Sequence, residues 1–325
     1  MITVLLTVFN GQDWLIECIE SILNQSYKNF EFLIIDDGSE DNSLSIIKHY
    51  SKIDKRIKYI SQENIGLTKS LNKGLRIAKG DWIARIDSDD ISYSRRLEFQ
   101  LNYVLQKDIN LVGCQSIIID SKGLKKGGVI IPTDHKRIYS NLENQKRFFS
   151  HSSVLFNKKL ILKLGGYREI MKKSQDYDLW LRVCEVSEVG CLNYLGNCLR
   201  MHSKNISYND KGIEQRIYAH CANISHILRL NYGYQYDPIK KNNLKKFKDF
   251  FKFVKINLER SGTLNFYEKL YEFKKKTDKF KFGFRIFFIP LYFNNFSLIL
   301  KLIIWIYKGD FISKSISKEW LKSNK

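Results

Sequence analysis

The stretch ARIDSDDIS, residues 84–92, places three carboxylates, Asp87, Asp89 and Asp90, within four positions. Like charges this close repel one another unless a positive centre sits between them. Three chemistries use such a cluster. A calcium EF-hand loop starting at Asp87 would have acid at its third position, Asp89, and Glu98 at its twelfth. Its fifth and sixth positions would be Ile91 and Ser92, where such a loop needs Asp or Asn and then Gly, so it fails. A phosphatase built on a nucleophilic D-x-D-x-[TV] motif carries that Asp on its first strand, whereas DSDDI follows the fourth apolar run. The third chemistry is a divalent cation, Mn2+ or Mg2+, held by one or two carboxylates and the phosphates of a nucleotide.

The surrounding elements favour a ligand site over a solvated turn. ITVLLTVF, FEFLIID, RIKYIS, DWIARID and INLVGCQSIII read as strands. Between them DWLIECIESILNQ, EDNSLSIIKHYSKI, TKSLNKGLRIAKG and SRRLEFQLNYVLQK carry apolar residues at helical spacing. Asp41, Asn42 or Ser43 is the expected cap of the second helix, and Gly80 the expected left-handed stop of the third. Strands alternating with helices of this length imply an α/β fold, a mainly parallel sheet with helices on both faces. Such sheets bind ligands beyond the carboxyl ends of their strands. Residues 7–10, the pair Asp36-Asp37 and residues 87–90 all lie at such ends and converge on one crevice.

The chain has 325 residues, 44% hydrophobic and 14% aromatic, which makes it globular. Its six cysteines form no C-x-x-C pair and match no metal-ligand spacing, so they are expected to be buried free thiols. The first ten residues, MITVLLTVFN, lack a basic leader and a cleavage site and read as a strand, an expectation of a cytoplasmic protein. The net charge is +20, and residues 240–325 hold 21 Lys and Arg against seven Asp and Glu. A tail this basic implies a partner of opposite charge. A basic nucleic-acid-binding protein is the alternative class, but no nucleic-acid motif is present, and the acid cluster argues against it.

The segments TVFNGQDWLIECIESILNQSYKNFEFLIIDDGSEDNS, NIGLTKSLNKGLRIAKGDWIARIDSDDIS, RRLEFQ, GGYRE and SQDYDLWLR resemble, in this order, family 2 inverting glycosyltransferases of the GT-A fold. They are similar to bacterial enzymes that build O-antigen, capsule and other surface glycans. The resemblance covers residues 1 to about 208. It implies a metal-dependent transfer from a nucleotide-sugar, a UDP-sugar first, to a glycan acceptor carried on lipid. Thr7, Val8, Phe9 and Asn10 would then receive the base, with the Phe9 ring stacked on it. Asp37 would accept the N3–H of uracil, and Asp36 would be structural. Asn64 and Lys69 would lie near ribose and phosphates. Many relatives carry Arg where this chain has Leu71, which leaves Lys69 as the nearby cation. Asp87 and Ser88 would meet the nucleotide, Asp89 the metal, and His202 in LRMHSKNIS would complete its shell. Asp176 would be the general base. Asp178 is its rival, but on a helix the two point about 160–200° apart and do not share a role. Gln175 stands where many relatives have Glu. His151, Gly165 and Gly166 would line the acceptor side.

These readings divide the chain into a catalytic domain over 1–210, a connecting helical segment over 211–239 and a basic amphipathic region over 240–325. The last carries an uncharged run of 15 residues, 286–300, broken by Pro290 and Asn294-Asn295. A helix of that length reaches about 22 Å, short of the ~30 Å hydrocarbon core, so it is expected to lie in the interface of an anionic membrane. Continuation to 307 reaches farther and buries Lys301. The alternative cover for the run is the catalytic domain or a second copy in a homodimer. Peripheral attachment to the inner face of the cytoplasmic membrane would set the crevice beside a lipid-linked acceptor.

Overall fold

The computed structural model describes residues 1–205, 212–240, 243–277 and 311–324. It divides into two compact units, one of Met1–Leu142 with Arg147–His202, the other of Glu143–Lys146 with Ser203–Lys325. The first unit follows the order β1 (Ile2–Val8), α1 (Leu15–Leu23), β2 (Phe30–Asp36), α2 (Ser43–Ile53), β3 (Ile57–Ser61), α3 (Leu67–Ile77), β4 (Trp82–Asp87), β5 (Ile91–Ser92) and α4 (Arg96–Lys107). It continues with β6 (Leu111–Asp120), β7 (Lys125–Val129), α5 (His135–Glu143), β8 (Leu155–Asn157), α6 (Lys158–Lys163), α7 (Gln175–Cys184) and β9 (Val189–Met201).

One sheet runs β3-β2-β1-β4-β8-β6-β9-β5, with β7 on β6. Its first four strands are parallel, as is the long β6–β9 pair. The antiparallel pairs are short, with two to four residue partners each. β1 and β2 are buried along their whole length, which is why they read as unbroken apolar runs. Ile2, Val4, Leu6 and Val8 point into one core layer with Leu15, Ile19 and Ile22 of α1 and Ile47 of α2. On the opposite face Leu5 and Ile35 pack under α3, so close that a Cβ on Gly74 would come within 2.4 Å of Leu5. Each such fully buried Leu or Ile contributes about 1.5–3 kcal/mol.

One local expectation is corrected. The α3 stop is Ala78 with extended ψ, and Gly80 does not adopt the left-handed conformation. Gly80 is required because a Cβ there would sit 2.3 Å from the Thr3 nitrogen, where the chain enters β4 alongside β1. At the α2 start Asn42 holds the cap position without a side-chain bond, while Asp41 accepts from the Ser43 and Gln12 amides. All six cysteines are buried and unpaired.

The second unit contains α8 (Ile213–Tyr232), α9 (Leu244–Arg260), α10 (Thr263–Thr277) and α11 (Phe311–Ser323). α9 buries Phe247, Phe250, Val254 and Leu258 along one side, and the Trp320 ring of α11 lies 4.9 Å from that of Phe250. His220 is fully buried between the hydroxyls of Ser313 and Tyr267. Among the described residues no helix is long and apolar enough to cross a membrane. The apolar run 286–300 and its continuation to 307 lie outside the described residues.

Candidate active site

The parallel registers set the site in place. Thr7 pairs with Asp87 across β1 and β4, and Val8 pairs with Asp36 across β1 and β2. Their ends form one row at the carboxyl edge. Thr7 and Val8 are buried, and the Val8 carbonyl accepts the Asp37 amide, so any ligand contact from Val8 is through its backbone. Phe9 is 51% exposed and stands clear of the core. Asn10 takes the left-handed conformation at φ 54° and ties this loop to the next, its carboxamide accepting from the Glu40 amide at 2.8 Å.

Asp37 is a clamp. Its Oδ1 accepts from Gln62, the Ile65 amide and the Ser70 hydroxyl, and its Oδ2 from the Gly66 amide at 2.9 Å. Four protein donors thus leave Oδ2 as the oxygen with spare capacity for a base. The clamp fixes residues 62–66, where Asn64 is exposed, and the first turn of α3, where Lys69 is exposed. Leu71 is fully buried in the core, so the helix keeps no cation at that position.

α3 also fastens the turn at Gly166 and Tyr167. The Asn72 carboxamide donates to the Tyr167 carbonyl at 2.8 Å and accepts the Tyr167 amide at 2.9 Å. Gly166 permits this. It has φ 68°, and a Cβ on it would fall 2.5 Å from the Asn72 Oδ1. Tyr167 is buried with its hydroxyl 2.8 Å from His151 Nε2. Burial, helped by Arg85, pushes His151 down to about 3, so the ring is neutral at ordinary pH. Gly165 sits beside Gly166 in the left-handed conformation, and a Cβ on it would meet nothing within 4 Å.

In the acid cluster each carboxylate has its own environment. Asp87 is ion-paired to the wholly buried Arg85, and Ser152 closes on it from the other side. The Ser152 hydroxyl donates to Asp87 Oδ2 at 2.8 Å and accepts the Asp87 amide at 2.9 Å. Burial raises the Asp87 pKa, but Arg85, His151 and Ser152 outweigh it and hold the group below the usual carboxylate range. Asp90 is buried, and burial together with Asp89 and Asp87 pushes it well up. Arg200, near the end of β9, donates its amide to Asp90 at 2.8 Å and its Nε to the Asp89 carbonyl at 2.9 Å. Two residues on, His202 Nε2 meets Asp89 Oδ2 at 2.8 Å. Ser88 is half-buried within the same turn.

The Asp89–His202 pair suits a cation. Cis ligands on an ion with bonds near 2.1 Å lie about 3 Å apart, close to the spacing of these two atoms. Among the described residues no group of three or more His, Cys, Asp and Glu is placed to hold a metal alone. Two protein donors leave the remaining positions of the ion to phosphate oxygens and water, the pattern Mg2+ and Mn2+ adopt.

Asp176 is in the first turn of α7, partly buried, with its Oδ1 accepting the Tyr177 amide at 2.8 Å. Burial pushes it up to about 6, with a further rise from the charge of Asp87. Asp178 is fully buried and held by Arg168 and Arg182, a structural pair unavailable to a substrate. Arg182 also donates to the Gly166 carbonyl. Arg85, Ser152, Tyr167 and Trp14 were not singled out from sequence. An Arg two residues before an Asp in a buried strand, hence on the same face, is the one signal that pointed to any of them.

Comparisons with known proteins bear on the family and the fold. The family model for "Glycosyl transferase family 2" matches residues 3–165. The O-antigen biosynthesis glycosyltransferase WbnJ of Escherichia coli is 36% identical over 209 residues, 63% of this chain and 81% of that protein. The putative glycosyltransferase EpsE of Bacillus subtilis is 36% identical over 189 residues, 57% of this chain and 66% of its own length. Among solved structures, S. aureus TarS 1–349 in complex with UDP-GlcNAc superposes with a TM-score of 0.60 at 14% identity, covering 85% of this chain and 81% of TarS 1–349. The mannosyltransferase PcManGT from Pyrobaculum calidifontis, in complex with GDP-Man and Mn2+, does so with a TM-score of 0.55 at 14% identity, over 95% and 88%. At such identities these two likenesses speak to the fold alone.

Proposed function

The chain belongs to glycosyl transferase family 2, and from that premise we propose that it moves a sugar from a UDP-sugar to a lipid-linked glycan acceptor with inversion at the anomeric carbon, in surface-polysaccharide synthesis. The observation that supports this reading is the row of Thr7, Asp36 and Asp87 at the carboxyl ends of β1, β2 and β4, with Asp89 beside it and His202 2.8 Å from Asp89. A sugar hydroxyl is a poor nucleophile until its proton can leave. Asp176 accepts that proton as the hydroxyl attacks C1 from the face opposite the diphosphate. General-base assistance of this kind is worth about 10²–10⁴-fold. An α-linked donor then yields a β-glycoside in one displacement.

The other residues bind and orient. Phe9 offers an exposed ring face to the base, and Asp37 Oδ2 an acceptor for an imide N–H. Asn64 and Lys69 flank the ribose and phosphates. Asp87, fixed by Arg85 and Ser152, and Ser88 receive the donor beside Asp89. Asp89 and His202 are the ligands for Mn2+ or Mg2+, which when bound neutralises charge on the departing diphosphate. His151 and Tyr167, bonded to each other and tied through Asn72 to α3, are assigned with Gly165 and Gly166 to the acceptor side.

We assign the catalytic role to residues 1–210, with 211–239 as connecting segment and 240–325 as the membrane-facing region. In α9 the apolar side turns into its own unit, while Lys245, Lys248, Lys252 and Lys255 share the exposed side. That supports electrostatic attraction to anionic lipid, about 1 kcal/mol for each basic residue near the surface. The test is incubation of the full chain with Mn2+, a panel of UDP-sugars and a lipid extract, read by product mass and by the anomeric proton coupling. A mass gain of one sugar with inverted configuration is expected. Retained configuration, or no UDP release from any donor, refutes the assignment.

A further inference from the structure

We propose that Trp14 is a positioning residue for the cation pair, holding the His202 imidazole in the orientation from which it meets Asp89; this rests on the reading of Asp89 and His202 as cation ligands. The Trp14 and His202 rings are stacked, with centroids 4.1 Å apart and planes 25° from parallel. The His202 side chain is 8% exposed, although it follows the last residue of β9 and has left the sheet ladder. Two side-chain contacts hold its ring. One is Asp89 at 2.8 Å, and another is the indole face.

The indole is itself anchored at both ends. Its Nε1 donates to the Ser121 carbonyl, at the turn between β6 and β7, at 3.3 Å. Its backbone amide donates to the Gly11 carbonyl at 3.2 Å, where α1 begins. The Arg200 guanidinium carbon lies 5.8 Å from the ring centroid, and Arg200 reaches on to Glu17 of α1 and to the Asp89 carbonyl. The first turn of α1 thus touches both residues of β9 and its end that fix the Asp89 turn. Trp14 is partly exposed and is not a member of the apolar core cluster, so core packing does not account for it.

The chemistry suits a ligand support. An imidazole bound to a cation must keep its ring plane aligned with the metal–nitrogen bond, and residues that orient such a ring typically change metal affinity about 10- to 100-fold when lost. An indole face restricts both side-chain torsions of the histidine without offering an oxygen that competes for the ion. A single aromatic stack is worth less than a carboxylate hydrogen-bonded to the ring, so the expected effect lies below that range, about 3- to 10-fold.

The experiment titrates Mn2+ into the full chain, with and without UDP, following the free-ion electron paramagnetic resonance signal, and records melting temperature alongside. Trp14→Leu, Trp14→Phe, His202→Ala and the Trp14→Leu/His202→Ala double variant are compared. Trp14→Leu is expected to weaken Mn2+ binding about 3- to 10-fold and Trp14→Phe about twofold, with UDP affinity in the absence of metal unchanged. In the His202→Ala background Trp14→Leu is expected to add nothing, because its effect passes through that ring. Wild-type Mn2+ affinity in Trp14→Leu beside weakened His202→Ala overturns the role of Trp14 alone. Wild-type affinity in His202→Ala overturns the cation reading and this inference with it. Additive losses in the double variant mark Trp14 as merely structural and refute the proposal. If Trp14→Leu does not fold, Trp14→Phe with and without His202→Ala decides the same question.

Discussion

Replacing Asp176 with Asn should abolish transfer and yet stabilise the protein. Burial holds the Asp176 carboxyl at about 6 against an ordinary 3.8. Because folding raises this pKa, the folded state is the better proton binder, and ionisation favours the unfolded chain. In a dry site the difference corresponds to about 3 kcal/mol. The carboxylate is partly open to solvent, which lowers the figure to about 1–2 kcal/mol. That penalty is absent below the unfolded pKa and grows as pH rises through about 4 to 6. Asp176→Asn removes it, so its melting temperature should match the wild type at about pH 3.5 and exceed it by roughly 2–6 °C at about pH 7.5.

The same pKa shapes activity. The base proposed at Asp176 would work deprotonated, so kcat/KM should rise roughly tenfold between about pH 5 and pH 7 and level off above. His151 stays neutral and Asp87 ionised across that range, since the first is pushed down to about 3 and the second is held below the usual carboxylate value. Asp176→Asn should lose about 10²–10⁴-fold in transfer and lose the acidic limb as well. Stopped assays of UDP release, paired with thermal melts over the same pH series, give both readings. An acidic limb that persists in the variant, or a variant less stable than wild type at high pH, refutes the desolvated-base argument.

Gly166→Ala should cost about 1–3 kcal/mol, since it combines a left-handed backbone with a Cβ 2.5 Å from Asn72, and its melting temperature should fall. Asp178→Asn should destabilise by about 3–5 kcal/mol by leaving Arg168 and Arg182 without their buried counter-charge. The kcat of whatever protein remains folded should stay near wild type, as active-site titration would reveal. Charge reversal of Lys245, Lys248 and Lys252 to Glu should lower sedimentation with anionic vesicles while leaving UDP binding intact; unchanged sedimentation would remove α9 from the membrane contact.

The parallel half was legible because β1, β2 and β4 are buried on both faces and so appear as apolar runs bounded by turns. The acid cluster stood out for the same reason, as polar residues where such a run stops. β9 was not legible. Its pairing with β6 shifts register at two points, which breaks the alternation a strand would show. β5 has two residues, too few for any period. Arg85 hid within an apolar strand; Asp87 is two positions along the same strand, but its other partner, Thr7, becomes a neighbour only through the sheet. Ser152 reaches Asp87 across 65 positions and His202 reaches Asp89 across 113. Local pattern contains no trace of such pairs. Gly80 had a local signal with the wrong meaning: a glycine after a helix suggests a left-handed stop, but the constraint here is the approach of Thr3 from β1.

A chain of net charge +20 gathers acid at one point because it supplies the counter-charge from below. Arg85 and Arg96 are wholly buried and Arg200 nearly so, all at the back of the cluster. Arg85 neutralises Asp87, and Arg200 fixes Asp90 and the Asp89 carbonyl. Asp87 is thereby matched by Arg85 before any ligand arrives. A cation entering at Asp89 and His202 gains little from Asp87, so its affinity for the protein alone should be weak. With a diphosphate in the crevice the same cation gains two anionic partners, and the diphosphate gains a positive one. Binding of the two should therefore be cooperative, by a factor of about 5–150, and equal in both directions by linkage. Calorimetric titration of Mn2+ with and without UDP, and of UDP with and without Mn2+, measures both arms. An Mn2+ affinity that does not change with UDP would mean that the cation sees the bare carboxylates, and that the buried arginines do not balance them.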